Sequence, residues 1–192
     1  MYIIYRGSEY VVSNFTSSQT YQNLINAYNR DLVESAKYLM SGDHARREGY
    51  HQISNIFYAT SGNETRHAER WLRFIIQSDE LPSTLSRLQD AAQEVNYEGT
   101  DLYMQYAQIA REEGYTDIAN TFEAIALIER HHYFTFNKLA ENIENNQVFC
   151  KPTSTVWICL ACGNLVWNDC APGICPVCQY PRGYYEINCD NF

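Results

Sequence analysis

No cysteine occurs before residue 150, and no run of eighteen apolar residues occurs anywhere in the 192-residue chain. The second absence removes the expectation of a membrane-spanning helix. The first means that the body of the chain is not held by disulfides. Basic residues are also few: 14 Lys and Arg stand against 23 Asp and Glu, a formal net charge of −9. That balance argues against nucleic acid or an anionic membrane surface as partner, although carboxylates that bind a metal are neutralised by it. The opening MYIIYRGSEYVV is short and polar, unlike a secretory signal, so a cytoplasmic protein is expected. No repeat at solenoid periods is present.

What the chain does have is seven cysteines, all after residue 149. The number is odd, so complete pairing within one chain is impossible. Four of the seven carry metal-ligand spacing, which suits a reducing compartment. The lopsided distribution marks a boundary between a cysteine-free body and a cysteine-rich tail.

Helical periodicity fills the body. The first helix begins near Ser17, Ser18 or Thr20, any of which could cap it, and Gly42 is expected to end it. A second is expected from near His44 to Ile76. Pro82 suits the first turn of a third, which Gly114 closes. A fourth runs from Thr116 to about Asn145. Four long helices with short connections predict an all-α four-helix bundle. From Val156 the pattern turns to short strands, Gly, Pro and paired cysteines. The expected organisation is an N-terminal arm at residues 1–17, a bundle at 18–147, a linker at 148–155 and a small metal-knuckle β domain at 156–192.

The second and fourth helices each carry Glu-x-x-His: Glu64 with His67 in ETRHAER, and Glu129 with His132 in IERHHYF. Residues three apart share a helix face, so each pair can aim a carboxylate and an imidazole at one point. Apolar neighbours Ile56, Phe57, Trp71, Phe74 and Ile75 mark one side of the second helix as buried. Ile125, Ala126 and Ile128 do the same for the fourth. A buried carboxylate costs several kcal/mol unless paired or bound to metal, roughly the penalty of an unpaired buried ion. Dinuclear carboxylate bundles take one carboxylate from each of two helices and a Glu-x-x-His from each of the other two. The first helix offers Asp31, with Glu34 as the alternative. The third offers Glu94 and Glu98, four residues apart. Carboxylates mixed with imidazoles suit iron or manganese better than a closed zinc site.

In the tail, Cys159-x-x-Cys162 and Cys175-x-x-Cys178 are separated by twelve residues and can converge on one tetrahedral metal. Zinc and a single redox iron are both served by four thiolates. Trp157, Trp167, Tyr180, Tyr184, Tyr185 and Phe192 are expected to pack a shielding aromatic shell. Cys150, Cys170 and Cys189 are expected to be ordinary thiols, with a disulfide or a redox-sensing role as the lesser alternative.

With these motifs in hand, the chain from about residue 20 to 192 resembles the rubrerythrin family, a ferritin-like di-iron bundle followed by a rubredoxin-like module. ETRHAER, QIAREEGYTDIANTF, IERHH and WICLACG with CPVC carry the resemblance. It implies a non-haem di-iron peroxidase that reduces hydrogen peroxide to water. It implies two irons in the bundle and one iron at Cys159, Cys162, Cys175 and Cys178. It implies electrons relayed through that iron from external donors, a rubredoxin-type protein and an NAD(P)H-linked reductase, and a homodimer or larger homo-oligomer. By position, Glu64, Glu129 and His132 match di-iron ligands, and His67 matches a histidine that exchanges with the glutamate matched by Glu98. Tyr38 and Tyr103 match tyrosines close to the site. The chain departs from the family in having Asp31 where a glutamate stands on the first helix. It departs again in the four-residue spacing of Glu94 and Glu98, where the family has three; a π-bulge could absorb the extra residue. The rival readings are a ferritin-like iron oxidase using dioxygen, and a zinc-ribbon adaptor on an inert bundle.

Overall fold

The structure, a computed structural model, describes residues 14–189. Most of the expected N-terminal arm therefore lies outside the described residues. Its end, Phe15–Ser17, forms a single 3-10 turn. Compactness divides the chain between Leu81 and Pro82 into two units.

The first unit is a pair of long helices, α1 (Gln19–Arg47) and α2 (His51–Ile75). Ser18 caps α1, its side-chain oxygen accepting from the Tyr21 amide at 3.1 Å. Gly42 does not end α1 as the sequence predicts; the helix runs on to Arg47. A glycine can mark a helix end or a close approach, and here it is the second. A Cβ on Gly42 would lie 2.6 Å from the Tyr58 ring and 3.3 Å from the Ser54 carbonyl oxygen on α2. The actual turn uses Gly49, whose φ of +87° is favoured only by glycine. Small side chains fill the seam, with Ala45, Ser54, Ser61 and Ala68 buried. Ser35 crosses it, its hydroxyl donating to the Ser61 carbonyl oxygen at 3.0 Å.

The second unit begins with α3 (Thr84–Tyr97), capped by Ser83, whose side chain accepts from the Ser86 amide. One π-helical turn, Glu98–Leu102, connects it to α4 (Tyr103–Glu112). Gly114, again at φ +87°, closes this helix, and α5 runs Thr116–Glu144. The two interhelical turns read Glu-Gly-Tyr, at residues 48–50 and 113–115. In each, the tyrosine amide donates to the carbonyl five residues back, Tyr50 to Ala45 and Tyr115 to Ala110. Ala92, Gly99, Ala107, Ala110, Ala119 and Ala126 are buried in this unit.

Ile56, Phe74 and Ile128, expected to be buried, are exposed, at 59%, 43% and 51%. Each helix seam is closed by small residues, which leaves the larger apolar side chains off it. No helix among the described residues is long and apolar enough to cross a membrane.

The tail forms a three-stranded antiparallel sheet in the order β2-β1-β3, from β1 (Cys150–Cys159), β2 (Leu165–Cys170) and β3 (Tyr185–Ile187). The strand β1 thus takes up most of the span expected to be a linker. Trp157, Cys159, Ala171, Cys175 and Tyr185 form its core, with Phe149, Val166, Cys178 and Ile187 against it. The expected aromatic shell is only partly built. Trp157 and Tyr185 are buried, whereas Trp167 is 72% exposed, and Tyr180 and Tyr184 pack edge-to-face on each other near the surface. Phe192 lies outside the described residues. Val156 pairs with Trp167, so alternation sends Trp167 to the face opposite Trp157.

Candidate metal centres

In the first unit, helical spacing brings Glu64 and His67 together, with His67 Nδ1 3.2 Å from Glu64 Oε2. The neighbouring helix adds Asp31, and one ligand atom from each of the three lies within 4.8 Å of the others. Trp71 Nε1 donates to Asp31 Oδ2 at 2.8 Å. That bond fixes the short carboxylate and leaves its second oxygen for a further ligand role. Glu34 is outside the group; its carboxylate accepts from Lys37 Nζ at 3.0 Å. Of the two carboxylates expected on the first helix, Asp31 is the one that lies beside Glu64 and His67. Tyr38 stacks on Phe57 with ring centroids 6.1 Å apart. Trp71 was legible in the sequence only as a burial marker. Its partner is forty residues away, a relation no local pattern encodes.

In the second unit, His132 Nδ1 lies 2.9 Å from Glu129 Oε2. Burial first, then the charges of Glu129 and Glu94, holds the Glu98 carboxyl above the ordinary carboxylate value. Glu98 thus feels the charge of Glu94 on α3 and of Glu129 on α5, while Glu129 itself meets His132. The expected remedy for the Glu94 spacing, a π-bulge, is present but follows Glu98. The Glu98 amide still donates to the Glu94 carbonyl, as in an ordinary α-turn, and the π-helical bond runs from the Tyr103 amide to the Glu98 carbonyl. Tyr103, stacked on Phe122 at 6.0 Å, has its hydroxyl pKa raised by burial and then by Glu98 and Glu129. Gly99 makes this turn possible, because a Cβ there would sit 2.8 Å from the Ala126 carbonyl oxygen on α5.

Four thiols converge in the tail. Cys159, Cys162, Cys175 and Cys178 place their sulfurs within 4.8 Å of one another, with Cys159–Cys178 and Cys162–Cys175 at 3.7 Å. A metal–sulfur bond of about 2.3 Å gives a tetrahedron edge of roughly 3.8 Å, so the spacing fits one tetrahedral ion. Each knuckle is a tight turn. The amides of Gly163 and Gln179 donate to the carbonyls of Cys159 and Cys175, and both residues have positive φ, +75° and +62°. Burial raises the Cys175 thiol, but the Tyr185 hydroxyl and the Cys178 and Val177 amides outweigh it, holding it at about 6. Asn164 Nδ2 in turn donates to the Tyr185 oxygen at 3.1 Å. The Asn164 amide pulls the Cys162 thiol down, yet burial and the three neighbouring thiols push it up to about 12. A group that resists losing all its protons in this way is one that a cation completes.

Cys150 and Cys170 are not ordinary thiols. They are joined in a disulfide across β1 and β2, which corrects the expectation for two of the three remaining cysteines. Cys189 is free and exposed.

A family model described as Rubrerythrin matches residues 22–140 and 90–157. Rubrerythrin-1 of Clostridium acetobutylicum is 35% identical over 195 residues, covering 94% of this chain and all of that protein. The rubrerythrin of Clostridium perfringens is 36% identical over 191 residues, covering 92% and 97%. That of Nitratidesulfovibrio vulgaris is 32% identical over 186 residues, again covering 92% and 97%. The likeness spans the helices, both Glu-x-x-His pairs and the four-cysteine cluster alike. With a ferritin-like four-helix complement, carboxylate–histidine groups for two irons and a rubredoxin-like four-thiol site for a third, the chain belongs to the rubrerythrin family of di-iron oxidoreductases.

Proposed function

We propose that the chain is a non-haem peroxidase that reduces hydrogen peroxide to water in the cytoplasm, with electrons relayed through the four-cysteine iron. The observation that carries this reading is that one chain holds both a carboxylate–histidine set suited to two irons and a separate four-thiol cluster. An iron-storage or iron-oxidising role leaves the cluster without a task.

By the family resemblance, Asp31, Glu64, His67, Glu94, Glu98, Glu129 and His132 are the residues that would hold the two irons. Bound there, two ferrous irons would supply the two electrons that peroxide takes up. Trp71 positions Asp31 through its indole N–H. Tyr103 keeps its proton beside Glu98 and Glu129, and so remains a hydrogen-bond donor to whatever oxygen binds there. The family resemblance implies that His67 and Glu98 would be the ligands that exchange with redox state. A rubredoxin-type protein reduced by an NAD(P)H-linked reductase is the external donor. Leu160 and Val177, exposed inside the two knuckles, give such a protein an apolar contact beside the cluster.

The function of a homo-oligomer in this reading is to cover apolar side chains such as Ile53, Met40, Leu127 and Phe134, all exposed on the helices.

The test is steady-state turnover of the iron-loaded protein with that donor system. Peroxide consumption coupled to NAD(P)H oxidation is expected, falling by about 100-fold or more in Glu129→Ala. Consumption of dioxygen and ferrous ion at a higher rate, unaffected by loss of the cluster, would replace this reading with the iron-oxidase one.

A further inference from the structure

The Cys150–Cys170 disulfide lies outside all of the chemistry above. Strand pairing sets Cys150 opposite Cys170 at the end of the β1–β2 ladder. The regular ladder stops at Thr155 and Asn168. Beyond it, residues 151–154 of β1 face only Asp169. This end of the hairpin is otherwise tied by the Ala171 amide donating to the Phe149 carbonyl at 2.8 Å, and by Ser154 with Asp169.

Two features link the pair to the cluster. The loop it closes, with a sequence separation of 20, contains Cys159 and Cys162. The residues beside it, Phe149 and Ala171, belong to the apolar core that also packs Cys159 and Cys175. Opening the disulfide therefore loosens the wall of the metal site. Both sulfur-bearing residues are half-buried, within reach of small molecules, whereas Cys159 and Cys175 are buried. In a reducing compartment a disulfide is rarely a permanent staple; it is catalytic or redox-sensing.

We propose that Cys150 and Cys170 form a reversible redox clasp, closed by hydrogen peroxide and opened by a dithiol, that retards iron loss from the four-cysteine cluster when closed. In closing, one thiolate sulfur attacks a peroxide oxygen: an S–O bond forms, the O–O bond breaks and water leaves. The second thiolate displaces the sulfenic oxygen, forming S–S and releasing the second water. Two electrons pass from the sulfurs to the peroxide, and the two thiol protons end in the waters. Opening runs by thiol–disulfide exchange through a mixed disulfide. The clasp draws nothing from the di-iron groups, so it stands whether or not the protein turns over peroxide.

The test uses full-length, iron-loaded protein. After mild dithiothreitol treatment and its removal, a mass tag for thiols is expected on Cys150 and Cys170. After stoichiometric hydrogen peroxide, the tag is lost and the two peptides are recovered linked. A chelator should strip ferric iron about tenfold faster from Cys150→Ser/Cys170→Ser than from the disulfide form, followed by decay of the visible thiolate-to-iron band. Wild-type protein alkylated at both positions should match the variant, which guards against a folding defect of the double substitution. Full labelling before and after peroxide, a linkage to Cys189 instead, or equal rates of iron loss would each overturn the proposal.

Discussion

Tyr185 shows how one hydroxyl can set an electronic property. It is buried, its oxygen accepts from Asn164, and its hydrogen bond to Cys175 favours the thiolate. A four-thiolate iron gains one negative charge on reduction, so a donor at sulfur favours the reduced form. Tyr185→Phe keeps the ring and removes that donor. The midpoint potential of the cluster is expected to fall by roughly 20–60 mV, a tenfold change in a one-electron equilibrium at most. A dye-mediated redox titration of the visible band reads it; an unchanged or higher potential would deny Tyr185 this role. The same hydroxyl was invisible to composition, where Tyr185 counted only as one aromatic among six.

Among the elements, the π-helical turn at Glu98–Leu102 depends on Gly99. A methyl group there meets backbone, the Ala126 carbonyl oxygen at 2.8 Å, and the Arg130 side chain at 2.9 Å. Backbone cannot swing aside, so Gly99→Ala is expected to cost about 1–3 kcal/mol, measured by denaturant unfolding. Gly42→Ala meets backbone less closely, the Ser54 carbonyl oxygen at 3.3 Å, and its tightest contact is the Tyr58 ring at 2.6 Å, a side chain that can shift, so it should cost less. The α4–α5 contact carries a pH signature. Arg111 holds Glu123 with two bonds, at 2.7 and 3.1 Å, and lowers its carboxyl below the ordinary 4.5. A depressed carboxylate contributes stability that is present above its unfolded value and lost as pH falls through the folded one. Glu123→Gln should therefore lose stability less steeply than wild type as pH drops below 4.5. Parallel curves in thermal melts across that range would show that the exposed pair contributes nothing measurable.

For the whole molecule, the division of labour between helices and tail is separable. A chain ending at Asn146, just beyond α5, retains both Glu-x-x-His pairs and loses all seven cysteines. Loaded with ferrous iron, it should still be oxidised by one equivalent of peroxide, and it should fail to cycle with the rubredoxin-type donor. Stopped-flow spectra test the first part and NAD(P)H consumption the second. Full steady-state turnover without the tail would remove the four-cysteine cluster from the relay. Light scattering of the intact protein is expected to give a dimer or larger assembly, a state that would cover its exposed apolar side chains.

The sequence by itself determined what local geometry encodes. Glu-x-x-His on a helix brings its two side chains together because residues three apart share a face, and both pairs meet at 3.2 and 2.9 Å. Two Cys-x-x-Cys knuckles predict a four-thiol cluster because each turn is self-contained. Helix number followed from apolar period. The remainder rests on partners distant in the chain. Gly42 read as a helix end because nothing nearby reveals Tyr58 across the seam. That Asp31, and not Glu34, lies beside Glu64 and Trp71 is visible only in the folded chain. Cys150 found Cys170 because strand register, which the residues between them do not spell out, sets the two opposite each other. The π-turn follows Glu98 and does not lie between Glu94 and Glu98, because it answers to the close approach of α5 at Gly99. In each case the deciding energy is a steric or electrostatic contact with a neighbour that only the folded chain supplies.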